Sequence, residues 1–119
     1  GDLVRSTMKA VFVELPAFER NRSQYMSDEN FSEFQQELML NPTAGEVVQG
    51  TGGLRKVRFQ DVSRGKGKRG GLGVIYYWWL KESEFLLFTV YDKGEMDDLT
   101  PDQRKKLSEL LKRFKASRK

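Results

Sequence analysis

The stretch VIYYWWLKESEFLLFTVY, residues 74–91, specifies the centre of the fold of this chain. Residues 74–80 are a near-continuous apolar run rich in aromatic and β-branched side chains, which is typical of a strand buried on both faces. The polar residues 81–84 interrupt the run and predict a turn. Residues 85–91 then resume the apolar pattern. We therefore expect two neighbouring antiparallel strands, with the first at the centre of a sheet.

Two shorter strand patterns precede this pair in the chain. Residues 10–14 are β-branched and aromatic, and a Leu-Pro pair breaks the pattern after them. Residues 54–59 alternate with a period of two, which divides their side chains between two faces of a strand. One face receives Arg55, Val57 and Phe59, and the other receives Lys56 and Arg58.

Three helix signals surround the strands. Pro16 can occupy the first turn of a helix over residues 16–25. Ser27 precedes two acidic residues and caps a second helix, which an Asn-Pro pair ends at residues 41–42. Residues 100–103 read Thr-Pro-Asp-Gln, a capping box with proline at the first helical position. An apolar stripe at helical spacing comes after it, formed by Leu107, Leu110, Leu111 and Phe114.

The remaining segments are predicted as loops. Residues 43–53 form one, and residues 60–73 form a second that is glycine-rich and basic. The resulting order β-α-α-β-β-β-α predicts a small α+β domain with an antiparallel-rich sheet of about four strands, two N-terminal helices and one C-terminal helix. Residues 1–7 look unrelated to the rest of the chain, and Met8 is a plausible native start. We therefore assign residues 8–119 to a single domain and residues 1–7 to a cloning remnant.

The composition excludes several classes of protein. The 119 residues contain neither cysteine nor histidine. Disulfide scaffolds, thiolate zinc sites and Ser-His-Asp triads are therefore excluded. Hydrophobic residues make up 38% of the chain and aromatic residues 12%, which is enough for one compact core. No apolar run approaches the roughly 18 residues of a transmembrane helix.

Positive charge is concentrated in the second half of the chain. The first 50 residues carry four Lys/Arg and eight Asp/Glu, whereas residues 51–119 carry seventeen Lys/Arg and nine Asp/Glu. Such an asymmetry suggests a polyanionic partner, although an ordinary domain with uneven charge would show it too.

The basic run over residues 55–69 is the strongest functional signal. Within these fifteen positions, seven cationic residues are opposed only by Asp61. A cationic strand face beside a basic loop suits the phosphates of a nucleic acid. The alternative is a solubilising face with a disordered loop. The seven residues are Arg55, Lys56, Arg58, Arg64, Lys66, Lys68 and Arg69.

Two other motifs give weaker signals. Residues 65–70 match the pattern G-x-G-x-x-G, but a strand comes after them where a dinucleotide-binding turn needs a helix, so we reject nucleotide binding. The aromatic residues of the two central strands could stack on single-stranded bases. Strand alternation places most of them in the core. Tyr91 is the exception that we single out, because it lies at a strand end beside Asp92-Lys93-Gly94.

RNA cleavage by the substrate's own 2′-hydroxyl is the simplest nucleic-acid chemistry for a chain without histidine. It requires no metal and no protein nucleophile. The protein has to align the attack, stabilise charge on the phosphate and transfer two protons. Lysine and arginine stabilise the charge, and a lysine or tyrosine with a shifted pKa can transfer protons.

Six segments, taken in order, resemble a known family. Together they resemble the HigB branch of the RelE-like toxins of bacterial toxin–antitoxin systems, and the resemblance covers nearly everything from Met8 to Phe114. No single motif is decisive. The segments are ELMLNP at 37–42, GTGG at 50–53, LRKVR at 54–58, GKGKRGG at 65–71, VIYY at 74–77 and TVYDK at 89–93.

The resemblance implies a RelE-like microbial RNase fold and a metal-independent endoribonuclease that enters the ribosomal A site and cuts mRNA there. No metal or organic cofactor is expected. It further implies that the protein is located in the bacterial cytoplasm and does not associate with a membrane. The implied partner is an antitoxin with a helix-turn-helix domain. Operator DNA would be bound only through the toxin–antitoxin complex.

Two alternatives stay open. One is a non-catalytic RNA- or ribosome-binding module that uses the same basic surface. The other is a protein-interaction domain whose basic surface docks an acidic antitoxin segment. Both would bind through charge, so salt dependence alone would not separate them.

The resemblance also suggests roles for individual residues. Lys56 falls where the family places a phosphate-binding lysine. Arg58 falls where some members place a lysine that acts as a base, but an arginine is a poor base. Lys93 lies in the basic motif after the last strand, and Tyr91 lies near positions that act on the scissile nucleotide. These four are the candidate catalytic residues, and the candidate RNA-binding residues are Arg55, Lys66, Lys68 and Arg69.

One position departs from the family pattern. Relatives commonly have an arginine just before the apolar third strand, where this chain has Gly73. By analogy with oxyanion-stabilising donors, loss of such a contact costs about 2.7–4 kcal/mol of transition-state stabilisation. Either Gly73 is a substitution that weakens a toxic enzyme, which we favour, or it is natural divergence in which Arg69 or Lys68 serves instead.

Overall fold

The computed structural model describes residues 10–60, 71–95 and 98–117. Within those ranges the chain folds into one five-stranded mixed sheet and three α-helices. The predicted α+β class is confirmed, as are the two N-terminal helices and the C-terminal helix. None of the helices in the described ranges is long and apolar enough to cross a membrane.

The elements have the predicted order, with one strand added. They are β1 (Val11–Glu14), α1 (Pro16–Tyr25), α2 (Asp28–Leu40), β2 (Glu46–Val47), β3 (Arg55–Phe59), β4 (Leu72–Trp79), a 3₁₀ turn (Leu80–Glu82), β5 (Glu84–Asp92) and α3 (Pro101–Ser117).

Strand β2 corrects the prediction of a continuous loop over residues 43–53. It pairs antiparallel with β3, and Glu46 lies opposite Lys56. Two residues are too short a segment for any periodicity to reveal, so only the partner strand identifies them as a strand. The sheet therefore has five strands where about four were expected.

The sheet has the strand order β1-β5-β4-β3-β2. Strand β1 runs parallel to β5, and the other pairs are antiparallel. The central position predicted for residues 74–80 is confirmed, because β4 lies between β5 and β3. The register of β4 and β5 shifts between Ile75 and Tyr76, where Phe88 is the additional residue of β5.

Alternate residues of β4 enter two separate hydrophobic clusters. Leu72, Val74 and Tyr76 pack into one cluster with side chains of α1 and α2. The helix residues in this cluster are Phe18, Phe31, Phe34 and Leu38. Ile75 enters the other cluster, which lies beneath α3. Both faces of β4 are therefore covered, which accounts for its unbroken apolar sequence.

The two predicted helix caps are present. The Ser27 hydroxyl accepts a hydrogen bond from the backbone N–H of Asn30 at 3.1 Å. Thr100 and Gln103 form a reciprocal capping box: the Thr100 N–H donates to the Gln103 side chain at 2.8 Å, and the Gln103 N–H donates to the Thr100 hydroxyl at 3.1 Å. The start of α3 is therefore fixed in place.

The phenol of Tyr76 attaches the segment after α2 to the centre of the sheet. Its side chain is fully buried, and its hydroxyl donates to the carbonyls of Ala44 at 2.6 Å and Pro42 at 3.1 Å. Burial raises the pKa of Tyr76 to about 12, and the positive charge of Arg55 opposes that rise. The neutral phenol therefore persists well above the pH at which an unfolded tyrosine ionises.

Replacing Tyr76 with phenylalanine should lower the free energy of unfolding at pH 7 by about 1–3 kcal/mol, because the partly buried carbonyls of Ala44 and Pro42 lose the one O–H donor that they share. The difference between the two proteins should then depend on pH. Since the folded pKa is raised, the stabilising contribution of the phenol is complete below pH 10 and is lost as pH rises towards 12.

Denaturant unfolding of both proteins between pH 7 and pH 12 measures this difference. It should shrink by about 1.4 kcal/mol per pH unit above pH 10. A difference that stays constant across that range would show that Tyr76 does not hold its proton more tightly in the folded state.

Candidate nucleic-acid interface

The sheet register brings residues from three separate segments of sequence side by side. Arg58 of β3 lies opposite Gly73 of β4, and Gly73 lies opposite Tyr91 of β5. Directly opposed residues of antiparallel strands point to the same face of a sheet. Tyr91 belongs to the cluster beneath α3, so this row of three positions faces the α3 side.

Two more of the predicted positions lie next to that row. Lys56 is two residues before Arg58 and therefore shares its face, as the period of two predicted. Arg58 is exposed, and the Lys56 side chain is 26% exposed. The backbone N–H of Lys93 donates to the carbonyl of Gly71 at 3.0 Å, which holds the turn after β5 against the start of β4. Of the four candidate catalytic residues, Lys56 and Arg58 thus lie on β3 and Tyr91 lies on β5, with β4 between the two strands, and Lys93 lies in the turn that ends β5.

The structure places Tyr91 in the core, so the expectation that it is the aromatic residue outside the core is wrong. Its side chain is only 7% exposed and packs with the cluster beneath α3. The reason lies in the neighbouring strand, where Gly73 leaves the space that a side chain would fill. A Cβ atom placed on Gly73 would lie 2.6 Å from Cζ and 2.9 Å from the hydroxyl oxygen of Tyr91. The ring therefore lies directly over the glycine.

This packing bears on the missing arginine. An arginine at position 73 cannot be accommodated unless the ring of Tyr91 moves, because its Cβ alone would approach the ring more closely than atoms can. Gly73 and Tyr91 thus fit each other as a pair. The residues suggested as replacements, Lys68 and Arg69, lie outside the described residues, as do Lys66 and the segment 1–7.

Lys56 is engaged by a carboxylate that sequence reasoning did not identify. Its ammonium lies 3.1 Å from Oδ1 of Asp98, which precedes α3. The same oxygen accepts the backbone N–H of Leu99 at 2.8 Å. The Leu99 N–H and the Lys56 ammonium, with a further contribution from the charge of Arg104, hold the pKa of Asp98 below its ordinary value.

The Arg55 side chain points away from the candidate catalytic residues. Strand alternation places it on the opposite face, and its guanidinium donates to the carbonyls of Thr43 at 2.9 Å and Gly45 at 3.4 Å. These bonds tie the segment before β2 to β3. The structure therefore does not bring Arg55 together with the candidate catalytic residues, and its visible role is structural.

The aromatic residues of β4 point alternately to the two faces of the sheet, as expected for a strand. Tyr76 is fully buried, as expected of a core residue. Tyr77, Trp78 and Trp79 pack against the two clusters while remaining partly exposed. Tyr77 also has the ammonium of Lys115 5.0 Å from its ring centroid, a cation–π contact that ties α3 to the sheet.

Sequence reasoning missed Asp98 and Arg104. Asp98 is 42 positions from Lys56, and no local pattern links them. Arg104 carried a weak signal, because it lies three residues before Leu107 of the apolar stripe and so must lie near the sheet. Both residues line one cleft with Lys56.

Chemically, the arrangement is a cationic surface on the α3 side of the sheet. Lys56 and Arg58 supply positive charge there that suits phosphate oxygens, and Lys93 adds a cation in the turn after β5. The hydroxyl of Tyr91 lies over Gly73, the residue opposite Arg58 in the sheet. Within the described ranges, no group of three or more acidic side chains is arranged to hold a metal ion.

No protein-family model matches this chain. Among solved structures, it is similar to that of an Escherichia coli RelE toxin carrying two arginine-to-alanine substitutions, in the free state. The two share 10% sequence identity with a TM-score of 0.47, and the match covers 74% of this chain and 87% of that chain.

A double-mutant cycle tests the fit between Gly73 and Tyr91. Gly73→Ala should lower the free energy of unfolding by about 1–3 kcal/mol, because the new methyl group overpacks the ring. In a Tyr91→Val background the same substitution should be neutral or stabilising, since alanine is favoured over glycine in a strand without crowding.

Tyr91→Phe provides the matched control, because it keeps the ring carbon that the new methyl group would meet. The cost of Gly73→Ala should persist in that background. Equal costs in the Tyr91→Val and Tyr91→Phe backgrounds would show that the ring does not occupy the space above Gly73.

Proposed function

We propose that this protein is a RelE-like toxin of the HigB type, an endoribonuclease that cleaves mRNA. The observation that supports the proposal is the register that aligns Arg58 with Tyr91 across Gly73. Lys56 lies on the same face of β3, and Lys93 lies in the turn that ends β5. These positions come from sequence segments that lie far apart in the chain, and a merely solubilising charge would not require this alignment.

In this mechanism the cationic side chains bind the scissile phosphate. Lys56 and Arg58 project from one strand face and contact its oxygens, and Lys93 approaches from the turn after β5. As the substrate's 2′-hydroxyl attacks, negative charge builds on the phosphate, and cations held in fixed positions stabilise it. Proton transfer is left to Lys56 and Lys93, because the guanidinium of Arg58 is a poor base and the hydroxyl of Tyr91 is buried.

Tyr91 is assigned a positioning role. Its buried ring presents no face for a base to stack on, but its hydroxyl lies over Gly73, the residue opposite Arg58. Through this packing it fixes β4 beside Arg58, and it thereby orients the nucleotide at the cleaved bond indirectly. Gly73 contributes by leaving the space that this ring needs.

The site of action and the partners are proposed on the sequence resemblance. We propose that cleavage takes place in the ribosomal A site, in the bacterial cytoplasm. We further propose that a helix-turn-helix antitoxin neutralises the protein and that operator DNA is bound only by their complex. The basic run over residues 55–69 supports an RNA-rich target.

A second candidate function is a non-catalytic RNA- or ribosome-binding module. Gly73 is the observation that favours it, because the phosphate-stabilising arginine of relatives is absent there. The same cationic surface would then bind RNA without cutting it.

Induced expression in a bacterial host tests the proposal. The wild-type chain should arrest growth and create new mRNA 5′ ends in phase with codons. Lys56→Gln should reduce cleavage by about 100- to 1,000-fold, the typical loss when one transition-state contact is removed. Lys106→Gln removes the same charge from an exposed position on α3 and should leave cleavage unchanged.

The outcomes separate the two functions. Ribosome binding without new 5′ ends would contradict the nuclease and leave the binding module. A parallel Gly73→Arg variant addresses the missing arginine: cleavage by that variant alone would mean that Gly73 weakens the enzyme. Cleavage by the wild-type chain would mean that its other cations suffice.

A further inference from the structure

A narrow cleft opens between residues 46–49 and the start of α3, beside the proposed catalytic surface. It has a volume of about 170 Å³. Its charged lining includes Lys56, Arg104, Asp98 and Glu46. The cleft adjoins a larger groove of about 350 Å³ along α3, and Arg104 lines both. A ligand that reaches Lys56 can therefore continue along the helix.

The walls of this cleft are held in place by internal bonds. On one side, the buried hydroxyl of Thr51 donates to the carbonyl of Val48 at 2.7 Å and accepts from the N–H of Leu54 at 3.1 Å. On the other side, the capping box fixes the first turn of α3, and the ammonium of Lys115 donates to the carbonyl of Gly52 at 3.1 Å. The cleft is thus preformed rather than assembled by a ligand.

Asp98 places an anionic group inside this cleft. Its Oδ1 is bound to the Lys56 ammonium and to the N–H of Leu99, and the charge of Arg104 acts on it as well. An ammonium, a backbone N–H and a guanidinium are the donors that proteins use to bind phosphate oxygens. The carboxylate therefore lies where a phosphate oxygen would be bound.

The carboxylate is also easily displaced. The Asp98 side chain is 61% exposed, so it can turn to water without leaving a buried charge unpaired. Ion pairs with one well-exposed partner are weak, since that partner can exchange the other for water. A phosphate group that brings more charge to the cleft could replace it.

We infer that the cleft is a phosphate-binding site for the RNA strand, in which Arg104 binds the phosphate next to the scissile phosphate held by Lys56, and that Asp98 occupies this site in the free protein. The inference rests on the proposed function, since it takes RNA as the ligand. Asp98 then lowers RNA affinity by competing for Lys56.

The groove along α3 indicates that the ligand carries a chain of phosphates and is not a single small anion. Beyond Arg104 its charged lining consists of Lys105, Lys112 and one carboxylate, Glu109, so that cations predominate. The two lysines are seven positions apart on the helix, which separates them by about 10 Å along its axis. Cations repeated along one groove match a repeating backbone charge.

A pair of isosteric variants tests the competition. A fully 2′-O-methylated 12-nucleotide RNA, which cannot be cleaved by 2′-hydroxyl attack, serves as the probe. Asp98→Asn removes the competing charge and should raise affinity about two- to fivefold more than Asp102→Asn, the range set by an exposed ion pair. Asp102 is a matched control because it lies in the first turn of α3, is exposed and pairs with a lysine, Lys106, outside the groove.

A second pair tests the site itself. Arg104→Gln should reduce the slope of log affinity against log salt by about 0.7, the value for one phosphate contact on a single strand. Lys106→Gln should leave that slope unchanged. Equal affinities for the Asp98→Asn and Asp102→Asn variants, or an unchanged slope for Arg104→Gln, would overturn the inference.

The outcomes distinguish failure of this inference from failure of the proposed function. Lys56-dependent mRNA cleavage with no difference between the two aspartate variants would overturn the inference alone. A wild-type chain that neither binds nor cleaves RNA would overturn both. If an oligoglutamate of 12 residues binds in place of the RNA and requires Arg104, the cleft is a site for an acidic protein segment and the inference is wrong.

Discussion

The burial of β4 on both faces is the constraint on which the rest of the molecule depends. Helices α1 and α2 cover one face of the sheet and α3 covers the other, so the strand cannot slip by one residue without exchanging its two sets of side chains. That register aligns Arg58, Gly73 and Tyr91 across three strands. The candidate site is therefore as fixed as the core itself.

The absence of a side chain at Gly73 shapes this row of residues. Gly73 has no side chain, and the ring of Tyr91 lies in the space that one would fill. Cores are close-packed, so a residue at one position sets the shape that its neighbour must have. The missing arginine and the buried tyrosine are thus two aspects of one packing arrangement, and neither position should be interpreted alone.

Lys56 belongs both to the proposed catalytic surface and to the cleft beside the start of α3. Its strand position directs it to the same face as Arg58, while its ammonium is bound by Asp98 from the segment before the helix. A cation shared between a strand and a helix allows the start of α3 to influence how strongly the site binds an anion. Because the pair is exposed, that influence is modest and sensitive to salt.

Local sequence was enough to specify the helices, most of the strands and the faces of β3. Helices α1, α2 and α3 begin where Pro16, Ser27 and the capping box at Thr100 predicted, because caps and proline act within a few residues of chain. The period of two correctly placed Lys56 and Arg58 on one face of β3. The apolar run that begins at Val74 likewise predicted a central strand.

Which of these residues contact one another, however, depends on the folded sheet. Strand β2 is visible only through its partner, and the burial of Tyr91 depends on a glycine in the next strand. The bond between Lys56 and Asp98 joins residues 42 positions apart, which no local periodicity encodes. Local patterns report the conformation of a segment, whereas a site is built from contacts between segments, and those contacts exist only once the sheet has formed its register.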